Sequence, residues 1–96
     1  MGAGTTDEQS ASLEIKNRLG LHARAAVLLV KTAEKFDADI SIAKDGQVVN
    51  GRSIMGVMML AAGVGNTITL RTDGDDEEAA MNEMAALFER KFDEGA

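Results

Sequence analysis

No cysteine, proline, tryptophan or tyrosine occurs in this chain of 96 residues, and there is a single histidine. The absence of cysteine excludes disulfides, thiol nucleophiles and cysteine-ligated metal sites, and it fits a reducing compartment. With one histidine, a zinc site would have to rest on carboxylates, so we predict no metal site. The three phenylalanines are the only aromatic residues, which leaves little for stacking on nucleic-acid bases.

Positive charge is also scarce: 10 Lys and Arg face 16 Asp and Glu, giving a formal net charge of −6. This balance argues against a nucleic-acid-binding protein, which normally presents a basic face. No run approaches 18 apolar residues and no basic–apolar leader is present, so we expect a cytoplasmic protein without membrane insertion. The acidic residues concentrate between Asp73 and Glu78, whereas Arg18 and Arg24 lie near the only histidine.

The hydrophobic pattern predicts one small domain with the element order β-α-β-β-α-β-α. The four predicted strands are Leu13–Lys16, Asp39–Ala43, a third that begins at Val48, and Thr67–Arg71. The three predicted helices are Ala25–Phe36, Ile54–Leu60, and a last helix that opens at Gly74–Glu78 and runs to about Phe92. Residues 1–12 are expected to form a disordered tail, residues 13–92 the domain and residues 93–96 a short C-terminal tail. Asp45-Gly46 predicts a tight hairpin, and Asp75 with Glu78 has the spacing of a capping box. Right-handed β-α-β crossovers would place both long helices on one face of a sheet, giving an α+β two-layer sandwich.

The single histidine, His22, lies between a glycine-containing turn and the start of the first predicted helix. The first N–H groups of a helix have no intrahelical partner and carry the positive end of its dipole, so they attract anions. Arg24 adds a guanidinium that can bind a phosphate or carboxylate through two hydrogen bonds. This arrangement suggests a phosphoryl group on or beside His22, although a histidine here is also typical of a simple cap or surface residue.

Two segments of the sequence resemble known motifs in matching order. The first, Gly20-Leu21-His22-Ala23-Arg24-Ala25-Ala26, resembles the active-site loop of the HPr family, the histidine-containing phosphocarriers of the phosphoenolpyruvate-dependent phosphotransferase system. The second, Ser53-Ile54-Met55-Gly56-Val57-Met58-Met59-Leu60, resembles the regulatory serine segment of the same family. The similarity runs from about Leu13 to about Phe92, and it implies an open-faced sandwich whose four-stranded antiparallel sheet is covered on one face by helices.

The resemblance implies a phosphoryl carrier that needs no cofactor. His22 would accept a phosphoryl group on Nδ1 from phosphorylated enzyme I and pass it to EIIA-type acceptor proteins, with Arg24 and the helix amides stabilising it. Ser53 would be the regulatory site of an HPr kinase/phosphorylase. Ala25 stands where most members of the family have proline, and its presence is expected to loosen the turn slightly.

The apolar segment after Ser53 is expected to form a surface for partner proteins. Ser53 is also a credible N-cap. The helix after it has more apolar residues than one buried face can hold. Val57 and Leu60 are expected in the core, and the other apolar residues are expected to stay partly exposed. By resemblance, the docking patch comprises Ala23, Val27, Ile54, Met55 and Met58. Methionine suits a surface that binds several partners, and a carrier of this kind is expected to be a monomer. The alternative, in which the whole segment belongs to the core, stays open.

Three other classes of protein compete with the carrier. The nearest is a regulatory module that acts only through phosphorylation of Ser53, although such relatives typically lack the histidine. An acyl carrier protein is also small, acidic and built around one serine, but it would be all-helical, which the Asp45-Gly46 hairpin disfavours. An autonomous enzyme is least favoured, because one histidine and one arginine supply no general acid–base set.

Overall fold

The computed structural model describes residues 8–94, which form a four-stranded antiparallel sheet with helices packed on one face. The elements are β1 (Gln9–Glu14), α1 (Ala23–Ala33), β2 (Asp39–Lys44), β3 (Gln47–Asn50), α2 (Ile54–Met59), β4 (Thr67–Asp73), α3 (Glu77–Glu89) and a C-terminal turn (Lys91–Asp93). This order and the open sheet confirm the predicted fold class. Of the two predicted tails, residues 1–7 and 95–96 lie outside the described part of the chain.

The strands lie in the order β1-β4-β2-β3, and every neighbouring pair is antiparallel. Because β4 lies between β1 and β2, the β1-α1-β2 unit spans a strand that the chain adds later. Along β4, Ile68, Leu70 and Thr72 are buried and the residues between them point to the uncovered face. The predicted hairpin between β2 and β3 is confirmed: Asp45 and Gly46 have φ values of 51° and 85°, the two positive angles that a type I′ turn requires.

The core lies between the sheet and the inner faces of the helices. The buried positions of α1 are Ala25, Ala26, Leu29, Val30 and Ala33, and the apolar ones of α3 are Ala80, Met81, Met84, Leu87 and Phe88. The rings of Phe88 and Phe92 meet edge to face with centroids 5.0 Å apart. Helical periodicity predicts an apolar stripe on the first helix formed by Ala26, Leu29, Val30, Ala33 and Phe36. The first four are buried, but Phe36 is only partly buried because α1 ends three residues before it.

The first strand begins earlier than predicted, so the assignment of residues 9–12 to a disordered tail is wrong. β1 starts at Gln9 and ends at Glu14, and its residues pair in register with β4, from Gln9 opposite Thr72 to Glu14 opposite Thr67. Ala11 is the only apolar residue of Gln9–Ser12, so the alternation that marks a half-buried strand is weak there. Here the strand is specified by backbone pairing with β4. The strand β4 itself ends at Asp73, two residues after the predicted end at Arg71.

The start of α3 also differs from the prediction, because Asp75 and Glu78 do not form a capping box. The N-cap residue is Asp76, and its side chain makes no capping hydrogen bond. Instead the neighbouring Glu77 reaches back, and its Oε1 accepts a hydrogen bond from the backbone N–H of Gly74 (2.9 Å). The predicted spacing is off by one residue because the N-cap residue is Asp76 and not Asp75.

Asp76 ties the loop between α1 and β2 to the start of α3. Its two carboxylate oxygens accept hydrogen bonds from the backbone N–H groups of Asp37 and Ala38, each at 2.8 Å. The bond from Asp37 is the main cause that lowers the pKa of the Asp76 carboxyl. From the other side, the guanidinium of Arg52 donates to the carbonyl oxygens of Phe36 and Ala38. The loop is thus joined to α3 and to the residue that precedes Ser53.

Candidate functional site

His22 is the N-cap residue of α1, and its side chain is not used for capping. Its backbone is extended (φ −78°, ψ −178°), and its carbonyl oxygen accepts the first intrahelical hydrogen bond from Ala26 (2.9 Å). The imidazole makes no capping hydrogen bond, and 27% of the side chain is exposed. The helix starts at Ala23, two residues earlier than predicted, so the imidazole lies directly at the helix start.

Three backbone donors at this helix start are unpaired. The N–H groups of Ala23, Arg24 and Ala25 precede the first intrahelical bond, and none has a hydrogen-bond partner within residues 8–94. They form the positive end of the α1 dipole. Ala25 is fully buried in the first turn, and a proline at this position would remove one of the three donors.

The turn before His22 is held against the loop that follows α2. Gly20 has φ +68°, and a Cβ atom there would lie 2.5 Å from the carbonyl oxygen of Ala62 and 2.8 Å from the Cα of Gly63. The same carbonyl accepts a hydrogen bond from the N–H of Leu21 (2.9 Å). The two backbones are in contact at this point, so the position of His22 depends on glycine at residue 20.

The sequence did not identify Glu94, whose carboxylate lies against His22. Its Oε2 is hydrogen-bonded to Nε2 of the imidazole, and its Oε1 accepts a hydrogen bond from Nδ2 of Asn17 (3.1 Å). Asn17 is fully buried and also donates to the carbonyl oxygen of Gly20 (2.8 Å). The sequence predicts a C-terminal tail for Glu94, which follows the last periodic segment, and 72 residues separate it from His22. That prediction is wrong for Asp93 and Glu94.

Glu94 reaches His22 through the C-terminal turn, which has an uncommon backbone conformation. Lys91, Phe92 and Asp93 have φ values of 58°, 54° and 62°, a left-handed region that costs about 1–2 kcal/mol per non-glycine residue. Phe92 is 1% exposed, and burying such a ring contributes about 1.5–3 kcal/mol. Its contact with Phe88 adds about 0.5–1.5 kcal/mol, so packing offsets much of the strain that turns the chain back toward His22.

The electrostatics of the cleft favour an anion. The cleft is lined by Arg18, Leu19, His22, Ala23, Arg24 and Glu94. Neither arginine forms a salt bridge within residues 8–94, although Arg24 is close enough to the Glu94 carboxyl to affect its pKa. Burial raises the pKa of the Glu94 carboxyl, but hydrogen bonds from His22 and Asn17 and electrostatic attraction to His22 and Arg24 outweigh burial and lower that pKa. Glu94 is therefore ionised at neutral pH, while both guanidiniums stay available to a ligand.

Ser53 and the apolar helix after it occupy the positions that the sequence predicts. Ser53 is the N-cap of α2, and its Oγ accepts a hydrogen bond from the N–H of Gly56 (2.9 Å). Val57 and Leu60 are buried. The exposed apolar residues of this helix are Ile54, Met55, Met58 and Met59. The alternative of a fully buried segment is therefore wrong, and Met59 extends the exposed set beyond the prediction.

The remaining members of the predicted docking patch lie on α1, which packs against α2. Ala23 is exposed and Val27 is half-buried. Leu19, which the prediction omitted, is exposed in the turn before His22. Its apolar character does not stand out in the sequence, because the turn residues around it carry no periodic pattern.

A family model described as the PTS HPr component phosphorylation site matches residues 9–90. The chain belongs to the HPr family. Among curated HPr relatives, the phosphocarrier protein HPr of Cupriavidus necator is 51% identical over 81 residues, which cover 84% of this chain and 91% of that protein. The HPr-like protein Crh of Halalkalibacterium halodurans is 49% identical over 79 residues, covering 82% of this chain and 94% of that protein.

A solved HPr structure agrees with the fold. The crystal structure of HPr-C-His from Thermoanaerobacter tengcongensis superposes with a TM-score of 0.88 at 46% identity, covering 92% of this chain and 99% of that one. These matches place the chain in the phosphocarrier family of the phosphotransferase system. Within residues 8–94, no group of three or more His, Asp or Glu could hold a metal ion, and no helix is long and apolar enough to cross a membrane.

Proposed function

We propose that this protein accepts a phosphoryl group from phosphorylated enzyme I on Nδ1 of His22 and passes it to EIIA-type acceptors of the phosphotransferase system in the cytoplasm. One observation carries the proposal. Glu94 engages Nε2 of the imidazole, while Nδ1 has no hydrogen-bond partner within residues 8–94. An unpaired ring nitrogen at the start of a helix, in a cleft with Arg24, is suited to nucleophilic attack on a phosphoryl group.

The proposed transfer is a direct displacement at phosphorus. The lone pair of Nδ1 forms the new N–P bond, and the bond between phosphorus and the donor breaks with its electron pair leaving on the donor. Negative charge then spreads over the three equatorial oxygens, so catalysis depends on positioning and electrostatics. The unpaired N–H groups at residues 23–25 and the guanidinium of Arg24 are the donors available to those oxygens. The reverse displacement delivers the group to the acceptor.

Incubation with phosphoenolpyruvate and enzyme I tests this proposal. We expect the intact mass to rise by one phosphoryl group, the gain to disappear in acid, and an added EIIA-type protein to take the group over. Omission of enzyme I should prevent the gain, because phosphorylated enzyme I is the proposed donor of the group. Failure of a cognate enzyme I to phosphorylate the chain would reject the carrier function.

The second candidate is a regulatory module that acts through Ser53 alone. It is favoured by the similarity to the HPr-like protein Crh and by the partly exposed Ser53 at the start of α2. It leaves the arrangement around His22 without a use, so we prefer the carrier. Phosphorylation by an ATP-dependent kinase, without any transfer from enzyme I, would reverse that preference.

For regulation of the carrier, we expect a negative charge at Ser53 to slow phosphoryl transfer from enzyme I. Ser53→Asp keeps an oxygen that can cap α2 but adds a charge at the proposed docking surface, where desolvating it opposes binding. Ser53→Asn is the matched control, because asparagine also caps well and is neutral. Ser53→Ala should lower the free energy of unfolding by about 1 kcal/mol. Equal transfer rates for the Asp and Asn variants would contradict a regulatory role for charge here.

The docking patch is tested by Met55→Asp. Met55 is 73% exposed, so the substitution should leave the melting temperature nearly unchanged while a charge opposes burial against a partner. We expect the KM for enzyme I to rise at least about tenfold, since burying an unpaired charge in an interface is costly. Val48→Asp is the control, because Val48 is 65% exposed on the uncovered face of the sheet. Similar KM changes for both variants would count against the patch.

A further inference from the structure

The position of Glu94 is unexpected for a site that receives a phosphoryl group, because two negative groups repel each other. Only 13% of its side chain is exposed, and both carboxylate oxygens are engaged within the cleft. Oε2 contacts Nε2 of His22, and Oε1 accepts a hydrogen bond from Asn17. Asn17 is fully buried, so it fixes the carboxylate from behind.

The chemistry of the two groups settles which of them donates. An ionised carboxylate has no hydrogen to donate, so Nε2 must carry the hydrogen in this contact. In a neutral imidazole the lone pair then lies on Nδ1, on the other edge of the ring. The contact with Glu94 therefore selects the tautomer in which Nδ1 is the nucleophile.

The same contact would assist the transfer itself. As Nδ1 gives its electron pair to phosphorus, the imidazole ring gains positive charge. A carboxylate hydrogen-bonded to the opposite nitrogen stabilises that charge without occupying the position of the phosphoryl group, as in other sites where a carboxylate orients a reactive histidine. The left-handed backbone of Lys91–Asp93 is disfavoured for non-glycine residues, yet it is what returns Glu94 to the cleft.

We infer that Glu94 is a positioning residue for His22, which accepts the Nε2 hydrogen, keeps Nδ1 free and stabilises the charge that the ring gains on phosphorylation. This inference rests on the proposed function, because positioning for transfer requires that His22 react. The alternative is a purely structural contact that ties the C-terminal turn to the domain. The two differ in what they predict for the imidazole.

Two substitutions separate these roles, with ring-nitrogen NMR spectra and transfer kinetics as readouts. Glu94→Met keeps the length of the side chain and removes the acceptor, so the single Nε2–H tautomer should give way to a mixture. Its kcat for transfer from enzyme I should fall about 10- to 100-fold, the usual effect of losing a hydrogen bond to a charged group. Glu94→Gln keeps an oxygen acceptor without the charge and should restore the tautomer and part of kcat.

The control is Asp93→Asn, which makes the same change in net charge as Glu94→Gln at the adjacent residue, whose carboxylate is paired with Arg90. We expect this variant to keep both the tautomer and kcat. An unchanged tautomer and kcat in Glu94→Met, or a lower melting temperature as its only effect, would overturn the inference and leave the carrier function standing. If the unaltered chain takes no phosphoryl group from enzyme I, the carrier function fails and the inference fails with it.

Discussion

Replacing His22 with glutamine is expected to abolish phosphoryl transfer from enzyme I while leaving the fold intact. The amide nitrogen of glutamine can still donate to Glu94, so the carboxylate keeps a partner, but the side chain offers no nucleophilic ring nitrogen. Removing the nucleophile of a transfer reaction costs at least about 10³-fold in rate. Intact mass after incubation with phosphoenolpyruvate and enzyme I should show no acid-labile gain.

A thermal melt controls for the fold in this variant. His22 makes no capping hydrogen bond and is partly exposed, so the melting temperature of His22→Gln should stay close to that of the unaltered chain. An acid-labile phosphate on the variant would mean that another residue is the acceptor. An acid-stable phosphate formed with ATP and a kinase would instead point to Ser53.

Gly20→Ala is expected to have the largest effect on stability among these substitutions. The new Cβ would lie 2.5 Å from the carbonyl oxygen of Ala62, and the left-handed φ of Gly20 adds about 1–2 kcal/mol of strain. With the clash, which typically costs about 1–3 kcal/mol, the free energy of unfolding should fall by about 3 kcal/mol and the melting temperature by at least about 10 °C. The turn must then move away from the loop, so transfer to His22 should also slow.

Gly65→Ala separates the clash from the strain. Gly65 also has a positive φ, +87°, but a Cβ there meets nothing within 4 Å. In this variant, backbone strain alone should lower the free energy of unfolding, by about 1–2 kcal/mol. Transfer to His22 should stay normal. Equal losses of stability in the two variants would show that the contact between Gly20 and Ala62 does not constrain the turn.

The sequence predicted those features that depend on neighbouring residues. The hairpin at Asp45-Gly46 and the cap at Ser53 follow from local backbone chemistry, and the helix stripes follow from periodicity, so these predictions agree with the structure. The start of β1 was missed because Ala11 is the only apolar residue of Gln9–Ser12, and pairing with β4 makes this segment a strand. The prediction of a capping box at Asp75 failed because the N-cap residue is Asp76, whose carboxylate binds a loop distant in sequence and not the helix start.

In the candidate site, too, the residues close in sequence were predicted and those brought in by tertiary contacts were not. His22, Arg24 and the helix start are close in sequence, and the resemblance identified them together. Glu94 and Asn17 complete the site through contacts across 72 and 77 residues, and the left-handed turn that returns Glu94 has no glycine to signal it. Contacts of this kind depend on tertiary packing, so no local pattern could reveal them.

The most direct test of the phosphoryl carrier is an NMR spectrum of the chain, labelled with ¹⁵N-histidine, after phosphorylation by enzyme I. Because His22 is the only histidine, both ring-nitrogen signals belong to it, and their couplings to the carbon-bound ring hydrogens distinguish Nδ1 from Nε2. We predict phosphorus coupling to Nδ1 and a hydrogen on Nε2. Coupling to Nε2, or an unchanged imidazole in a chain that has gained phosphate, would contradict it.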